Sequence, residues 1–463
     1  MGRAAEHRRS LVSLAYPVYF ELLAGVTAGI INMVWVARLG GGAVAAVAVA
    51  TNVENLLLGV ILVVGSGTTV LVARARGAED SAAIRSAVCG GWVLWALITP
   101  LVVVGGYLCR EPLAHLVLGG SGGDSLPLTI GYFSIALPGI GVFFATNVVD
   151  GILKGAGDTR TPMKLAILAN GLILGLDPFF ILGFDLGVRG AAIATVLGRT
   201  VALICGFVAL HRNGVLRQAA QAAPNRAGSL SADARRTAAT GLPMSADFVV
   251  RMAGALAIVA IVARIGVSEV AAYGIATKAM YVATMAFYAI RQAASIRTAH
   301  LLGAGRDERR AIGRQVLLLA GSLGLTALLT LLAAAPWIMR AFGSEAEVAD
   351  AGSLYLRCLG PYLMLLACFI ALGGVFEGSG GSPALARITV CGVALQLALA
   401  YSLSGWGLPG ICLAMALSMA LQCAAIARMY RRTEHPTATD CDNSRLKISV
   451  TEPDSPSPDT RLA

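Results

Sequence analysis

The chain has 463 residues, of which 57% are apolar and only 13% charged, with a mean hydropathy of +0.74. Soluble proteins run about 45–50% apolar and about 25% charged, so a water-soluble multidomain enzyme is excluded. The net charge of +10 raises the question of a nucleic-acid partner, which the placement of the basic residues answers below.

A spanning helix takes about 20 apolar residues, and twelve such runs can be marked off by charge or Gly/Pro clusters. Strands would alternate and would need a closed barrel to satisfy their backbone in lipid; these runs do not alternate. The first run, 11–37, follows a basic head without a small-residue cleavage site. It reads as a retained helix and not a removed signal, and it carries Pro17 and Glu21. The runs 43–72, with Glu54, and 86–106 come next. Then 126–152 ends near Asp150, 163–183 holds Asp177 in the tripeptide LDP, and 188–210 completes a first lobe over 1–210. An Arg-rich cytoplasmic linker is expected over 211–237. The second lobe, 238–430, opens with 238–263, which carries Pro243, Asp247 and Arg251. It continues through 269–296, with Lys278 and Arg291, then 315–335, 351–376, 384–404 and 408–428. The polar, Pro-rich residues 431–463 read as a disordered tail.

Lys and Arg set the orientation. Of the 36, 26 fall in the segments that are cytoplasmic if the N-terminus is inside, five in outer loops and five within helices. This bias puts both termini in the cytoplasm of a multi-pass cell-membrane protein. It also accounts for the basic charge without nucleic acid. Most of the nine cysteines sit inside apolar runs with no paired spacing, so they read as small hydrophobes and not as a disulfide framework or metal site.

The two halves repeat. LAYPVYFELL (14–23) aligns with TGLPMSADFV (240–249) at an offset of 226, pairing Pro17 with Pro243 and Glu21 with Asp247. VARLG (36–40) pairs with VARIG (262–266), and Gly77 with Gly303, at the same offset. LKGAG (153–157) then pairs with FEGSG (376–380), and LGVRG (186–190) with WGLPG (406–410), where the offset has narrowed to 220. Each half has an even number of helices, so the halves are related by an axis along the membrane normal. The expected fold is all-α: two pseudo-symmetric six-helix lobes around a central cleft.

LKGAGDTRTPM (153–163) and LDPFFILGFDLGVRGAAIATVLGR (176–199), with Pro17 and INMVWVARLGGGAVAAVAVA (31–50), resemble the multidrug and toxin extrusion (MATE) family, clearest toward its DinF-like branch. The resemblance implies a secondary antiporter that exports amphipathic, often cationic compounds in exchange for protons or sodium, and the chain is expected to act as a monomer. It further implies a cation site in the N-terminal lobe. Carried over position by position, that site falls on Asn32, Asp150, Asp177 and Thr195, with Ile173 where the family has an Asn. An Asp and an Asn have thus exchanged places, which keeps two carboxylates in the lobe.

A carboxylate at bilayer depth costs about 2.5–3.5 kcal/mol on insertion scales, so Asp177, Asp150, Glu21 and Asp247 are functional candidates. Two buried carboxylates suit a proton carrier, while oxygen ligands with Asn32 and Thr195 suit sodium; the residues leave both open. Asp247 has Arg251 at i+4 and reads as a local ion pair. Glu21 has no partner in its own helix, so it is a second candidate to bind a proton or a cationic substrate. Pro17 and Pro243 remove a backbone hydrogen bond and are candidate hinges. No GxxxxGK[ST], HExxH or DDxxD motif occurs. ATP hydrolysis, metal catalysis and a prenyl-transferase reaction are therefore not expected, and neither is any metal or cofactor beyond the coupling ion. A flippase of lipid-linked intermediates is the alternative within transport; twelve helices and few interior bases argue against it.

Overall fold

A computed structural model describes residues 2–118, 125–221, 229–341 and 346–432, and among them no strand occurs. The helices are α1 (Gly2–Ala37), α2 (Gly41–Gly77), α3 (Ser81–Leu108), α4 (Arg110–Leu118), α5 (Ser125–Gly155), α6 (Arg160–Pro178) and α7 (Gly187–Arg212), with a π-helical turn at Phe179–Gly183 between the last two. They continue as α8 (Gly214–Gln221), α9 (Leu230–Val262), α10 (Val267–Gly303), α11 (Arg309–Ala341), α12 (Ala346–Ser379), α13 (Ser382–Leu403) and α14 (Gly407–Arg432), with a 3₁₀ turn at Ser404–Trp406. Among the described residues eleven stretches are long and apolar enough to span a membrane, and the last of them, Ser382–Arg431, is α13 and α14 together. Setting aside the short α4 and α8, twelve spanning helices result.

Most helices overrun the limits that hydropathy marks, chiefly at the end of the bundle that bears the N-terminus. Helix α2 continues to Gly77, α3 begins at Ser81 and α10 continues to Gly303. Apolar runs stop at the first charges, whereas backbone hydrogen bonding continues into the aqueous layer. Two consequences correct the reading of the loops. Lys154, which falls beyond the apolar run 126–152 and so reads as a loop residue, lies inside α5 and is buried. The segment read as a linker contains α8 and the first turns of α9, which Ser229 caps by accepting the Ala232 amide at 3.3 Å. The rest of that linker, 222–228, and the expected disordered tail beyond 432 lie outside the described residues.

The repeat is visible in the packing. Helix α2 and helix α10 are both 37 residues long and begin and end 226 residues apart. In the first lobe α2 packs on α5, α5 on α7, α6 on α7 and α1 on α6; α10–α12, α12–α14, α13–α14 and α9–α13 are the counterparts. Separate apolar cores fill the lobes, one around Phe133, Ile140 and Phe144, the other around Phe287, Tyr355 and Phe369. Small residues bring the backbones together, as helix packing in lipid favours. A Cβ on Gly151 would stand 2.6 Å from the Gly65 carbonyl oxygen, and one on Gly374 would strike that of Arg291. Gly65 and Arg291 are thus equivalent positions, 226 apart.

The lobes meet at the N-terminal end. Val70, Ala73, Ile296 and Ala299 form one apolar cluster across the interface, and both its pairs are 226 apart. His7 on α1 lies 2.7 Å from Glu308 before α11, and Arg297 on α10 lies 3.1 Å from Glu6. Ser245 donates to the Gly59 carbonyl at 2.5 Å, about midway along α2. All these contacts fall in the halves of α2, α9 and α10 nearest that end.

Candidate functional site

The LKGAGDTR stretch owes its composition to a tight helix–turn–helix. Gly155 packs on the Thr69 carbonyl of α2, Gly157 adopts φ +82, and Asp158 caps α6 by accepting from the Arg160 and Thr161 amides at 3.1 and 3.0 Å. A positive φ is cheap only for glycine. The turn fixes the end of α5, where Lys154 reaches α1 and donates to Glu21 Oε1 at 2.7 Å. The other Glu21 oxygen is buried without a hydrogen bond. Asp150, one turn before Lys154, is half-buried and close enough to feel both charges. Glu21 therefore has a partner after all, on another helix.

Asp177 stands apart from this group. It is 0% exposed, and neither carboxylate oxygen has a hydrogen-bond partner among the described residues. Pro178 follows it, and then the π turn, closed by the Phe184 amide on the Phe179 carbonyl at 3.0 Å. Such turns are frequent at functional positions. Across the lobe interior, Tyr132 donates to Glu54 at 3.4 Å while Arg199 lies 3.6 Å from the other Glu54 oxygen. Tyr132 is near enough to Asp177 to sense its charge. Antiparallel packing of α7 on α6, with Gly190 against Phe180 and Gly198 against Ala169, sets Thr195 at the level of the C-terminal turns of α6. Asn32 and Thr195 are half-buried. Asp150 and Asp177 share no described contact: one sits with Glu21 and Lys154, the other is buried in the lobe without a hydrogen-bond partner among the described residues.

In the second lobe the equivalent carboxylate, Asp247, lies in a closed network. Arg251 donates to it at 3.2 and 3.3 Å, Arg291 at 2.6 Å, and Thr389 through its hydroxyl. Arg291 also donates to Glu377 at 2.6 and 3.0 Å. The i+4 pair read from the sequence is present as one part of a larger assembly. Lys154, Glu377 and Thr389 escape a search for lone intramembrane acids. The repeat nevertheless aligns Lys154 with Glu377 through LKGAG and FEGSG. In one lobe a lysine at that position neutralises the helix α1 acid. In the other a second acid stands there, and Arg291, where the first lobe has Gly65, bridges both. Among the described residues no group of His, Cys, Asp and Glu suits a metal ion.

Comparison with known proteins places this architecture. The chain is 23% identical over 430 residues to the probable multidrug resistance protein YpnP of Bacillus subtilis, covering 91% of this chain and 94% of that one. It is 25% identical over 386 residues to the probable multidrug resistance protein NorM of Thermotoga maritima, covering 81% of each. The fold superposes on the Vibrio cholerae MATE transporter VcmN with a TM-score of 0.84 at 20% identity, over 93% of this chain and 98% of that one. The MatE family profile matches twice, over 17–179 and 243–402, so that both matches open on the repeat prolines Pro17 and Pro243. The chain is a multi-pass membrane transporter, not an enzyme, and it belongs to the MatE family of multidrug efflux transporters.

Proposed function

We propose that the protein exports amphipathic small molecules by alternating access, in exchange for protons or sodium ions, and that Asp177 carries the coupling. The supporting observation is a fully buried carboxylate with no hydrogen-bond donor on either oxygen among the described residues. An unpaired buried charge is costly. Such a group is stable when it holds a proton or a cation, and its occupancy can differ between the two states of the transporter. Only a ligand with different affinities for two conformations can shift them. Asn32 and Thr195 supply neutral oxygens in the same lobe. Asp150 beside the Glu21–Lys154 pair is a second titratable position, and a kinked α1 at Pro17 would link it to lobe movement.

The Lys/Arg asymmetry supports cytoplasmic termini. On that orientation the end of the bundle at which the lobes meet faces the cytoplasm. The multidrug names of the relatives support drugs or related metabolites as substrates. The test is dye transport in proteoliposomes with proton and sodium gradients imposed separately. Wild-type protein should respond to at least one gradient, and Asp177→Asn, of equal size, should lose that response. Wild-type rates for Asp177→Asn under both gradients would remove it from the mechanism.

A further inference from the structure

Lys278 on α10 is exposed and forms no described ion pair. It lies eleven residues from the start of α10 at Val267, about 16 Å along the helix at 1.5 Å per residue. That is near the middle of a hydrocarbon layer of about 30 Å. A cation at this depth faces the bundle interior or water, not lipid.

Helical periodicity identifies the direction. Eighteen residues make five turns at 3.6 residues each, so Lys278 shares a helix face with Ile296, which packs against Val70 and Ala73 of the other lobe. On α2 the same step leads from Val70 to Asn52, which is exposed and is the repeat partner of Lys278 at offset 226. The faces that meet at the N-terminal end therefore continue toward the other end as the two walls of the cleft. Lys278 and Tyr281 lie on one wall, Asn52 and Asn55 on the other, and all four are exposed.

Of the other intramembrane acids, Asp177 is fully buried and so off the cleft wall, and the following are engaged. Glu54 is held by Tyr132 and Arg199, Glu21 by Lys154, and Asp247 and Glu377 by Arg291. Arg357 on α12 is exposed as well and has the same sign as Lys278. The unpaired charge on the cleft wall is positive.

We infer that Lys278 is a substrate-binding residue that receives the anionic group of an amphipathic carboxylate, sulfonate or phosphate, with Tyr281 against its apolar body and the two asparagines hydrogen-bonding from the opposite wall. This deepens the export reading and departs from the expectation of amphipathic, often cationic substrates. Charge-assisted hydrogen bonds are about twice as strong as neutral ones, which sets the size of the effect to look for.

The experiment compares carboxyfluorescein, an amphipathic anion, with ethidium, an amphipathic cation. Both are measured for equilibrium binding to purified protein and for transport in proteoliposomes. Lys278→Ala should weaken carboxyfluorescein binding about tenfold and leave ethidium unaffected, Lys278→Arg should restore it, and Lys278→Glu should invert the preference. Asn52→Asp, which sets a carboxylate across the cleft from Lys278, should also weaken the anion. Binding of both dyes unchanged in Lys278→Glu, or ethidium binding alone in the wild type, overturns the assignment. Binding as described without gradient-driven transport of either dye supports the site and overturns the export reading instead.

Discussion

Gly77 and Gly303 occupy each other's mirrored surroundings across the lobe interface. A Cβ on Gly77 would strike the His300 carbonyl and stand 3.1 Å from the Ala304 nitrogen; one on Gly303 would strike the Arg74 carbonyl and stand 3.1 Å from the Ala78 nitrogen. Every residue in one set is 226 positions from its equivalent in the other. Such a self-complementary contact is what a twofold axis produces, and here the axis is internal to one chain.

No side chain fits there without parting the helices, so Gly77→Val and Gly303→Val should both hold that end open. Disulfide cross-linking between cysteines placed at Arg74 and His300 should fall severalfold in either variant. Undiminished cross-linking would mean that the lobes can close without this contact.

The buried Glu21–Lys154 pair makes a stability prediction. Removing one member strands the other's charge, a loss of about 3–5 kcal/mol for a buried pair. Lys154→Ala should lower the thermal midpoint substantially, and Glu21→Gln added to Lys154→Met should recover most of it. Arg291→Ala should be more damaging, because it strands Asp247 and Glu377 together. A Lys154→Ala protein as stable as wild type would show that the pair contributes little.

Coupling offers a compensation test. Asp150→Asn should weaken gradient-driven export, since it removes a carboxylate beside Glu21 and Lys154. Asn32→Asp in that background, which restores the acid that the family resemblance leads one to expect on the first helix, should recover part of the rate. The comparison to make is transport under a proton gradient against transport under a sodium gradient for all three proteins. No loss in Asp150→Asn would leave Asp177 as the sole coupling acid of the lobe.

Topology can be checked directly. Reporter fusions at Asn225 and at the C-terminus should both register the cytoplasm. A periplasmic signal at either would reverse the orientation proposed from the Lys/Arg bias.

Much of this is legible in the sequence alone. Twelve spans follow from hydropathy, and the duplication follows from pairs such as Pro17 with Pro243 and Gly77 with Gly303, because a glycine at a close helix crossing admits no substitute. Asp177 stands out because it is a lone acid in an apolar run. The partners were harder to see. Lys154 looks like a loop residue because its motif precedes GDTR, and only the buried end of α5 reveals its role. Glu377 and Thr389 reach Asp247 from helices far along the chain, and contacts between distant segments leave no periodic trace in the residues that make them. Lys278 was visible as an interior base, but its direction needed the Val70–Ile296 cluster as a reference face.

The turn after Asp177 also locates where the two copies diverge in length. Gly190 packs on the Phe180 carbonyl, and its counterpart Gly410 packs on that of Leu403. The first pair is separated by ten residues and the second by seven. The three extra residues are taken up where the first lobe has its wide π turn and the second a tight 3₁₀ turn. An ancestral duplication would have supplied the same helix pair twice, with Asp177 on one copy and the apolar Ala400 at the aligned place on the other. Lengthening one connection changes the end of a single helix and leaves the glycine-packed frame of both lobes intact. A gene doubled in this way can specialise one copy for the driving ion and keep the other as a counterpart that moves with it.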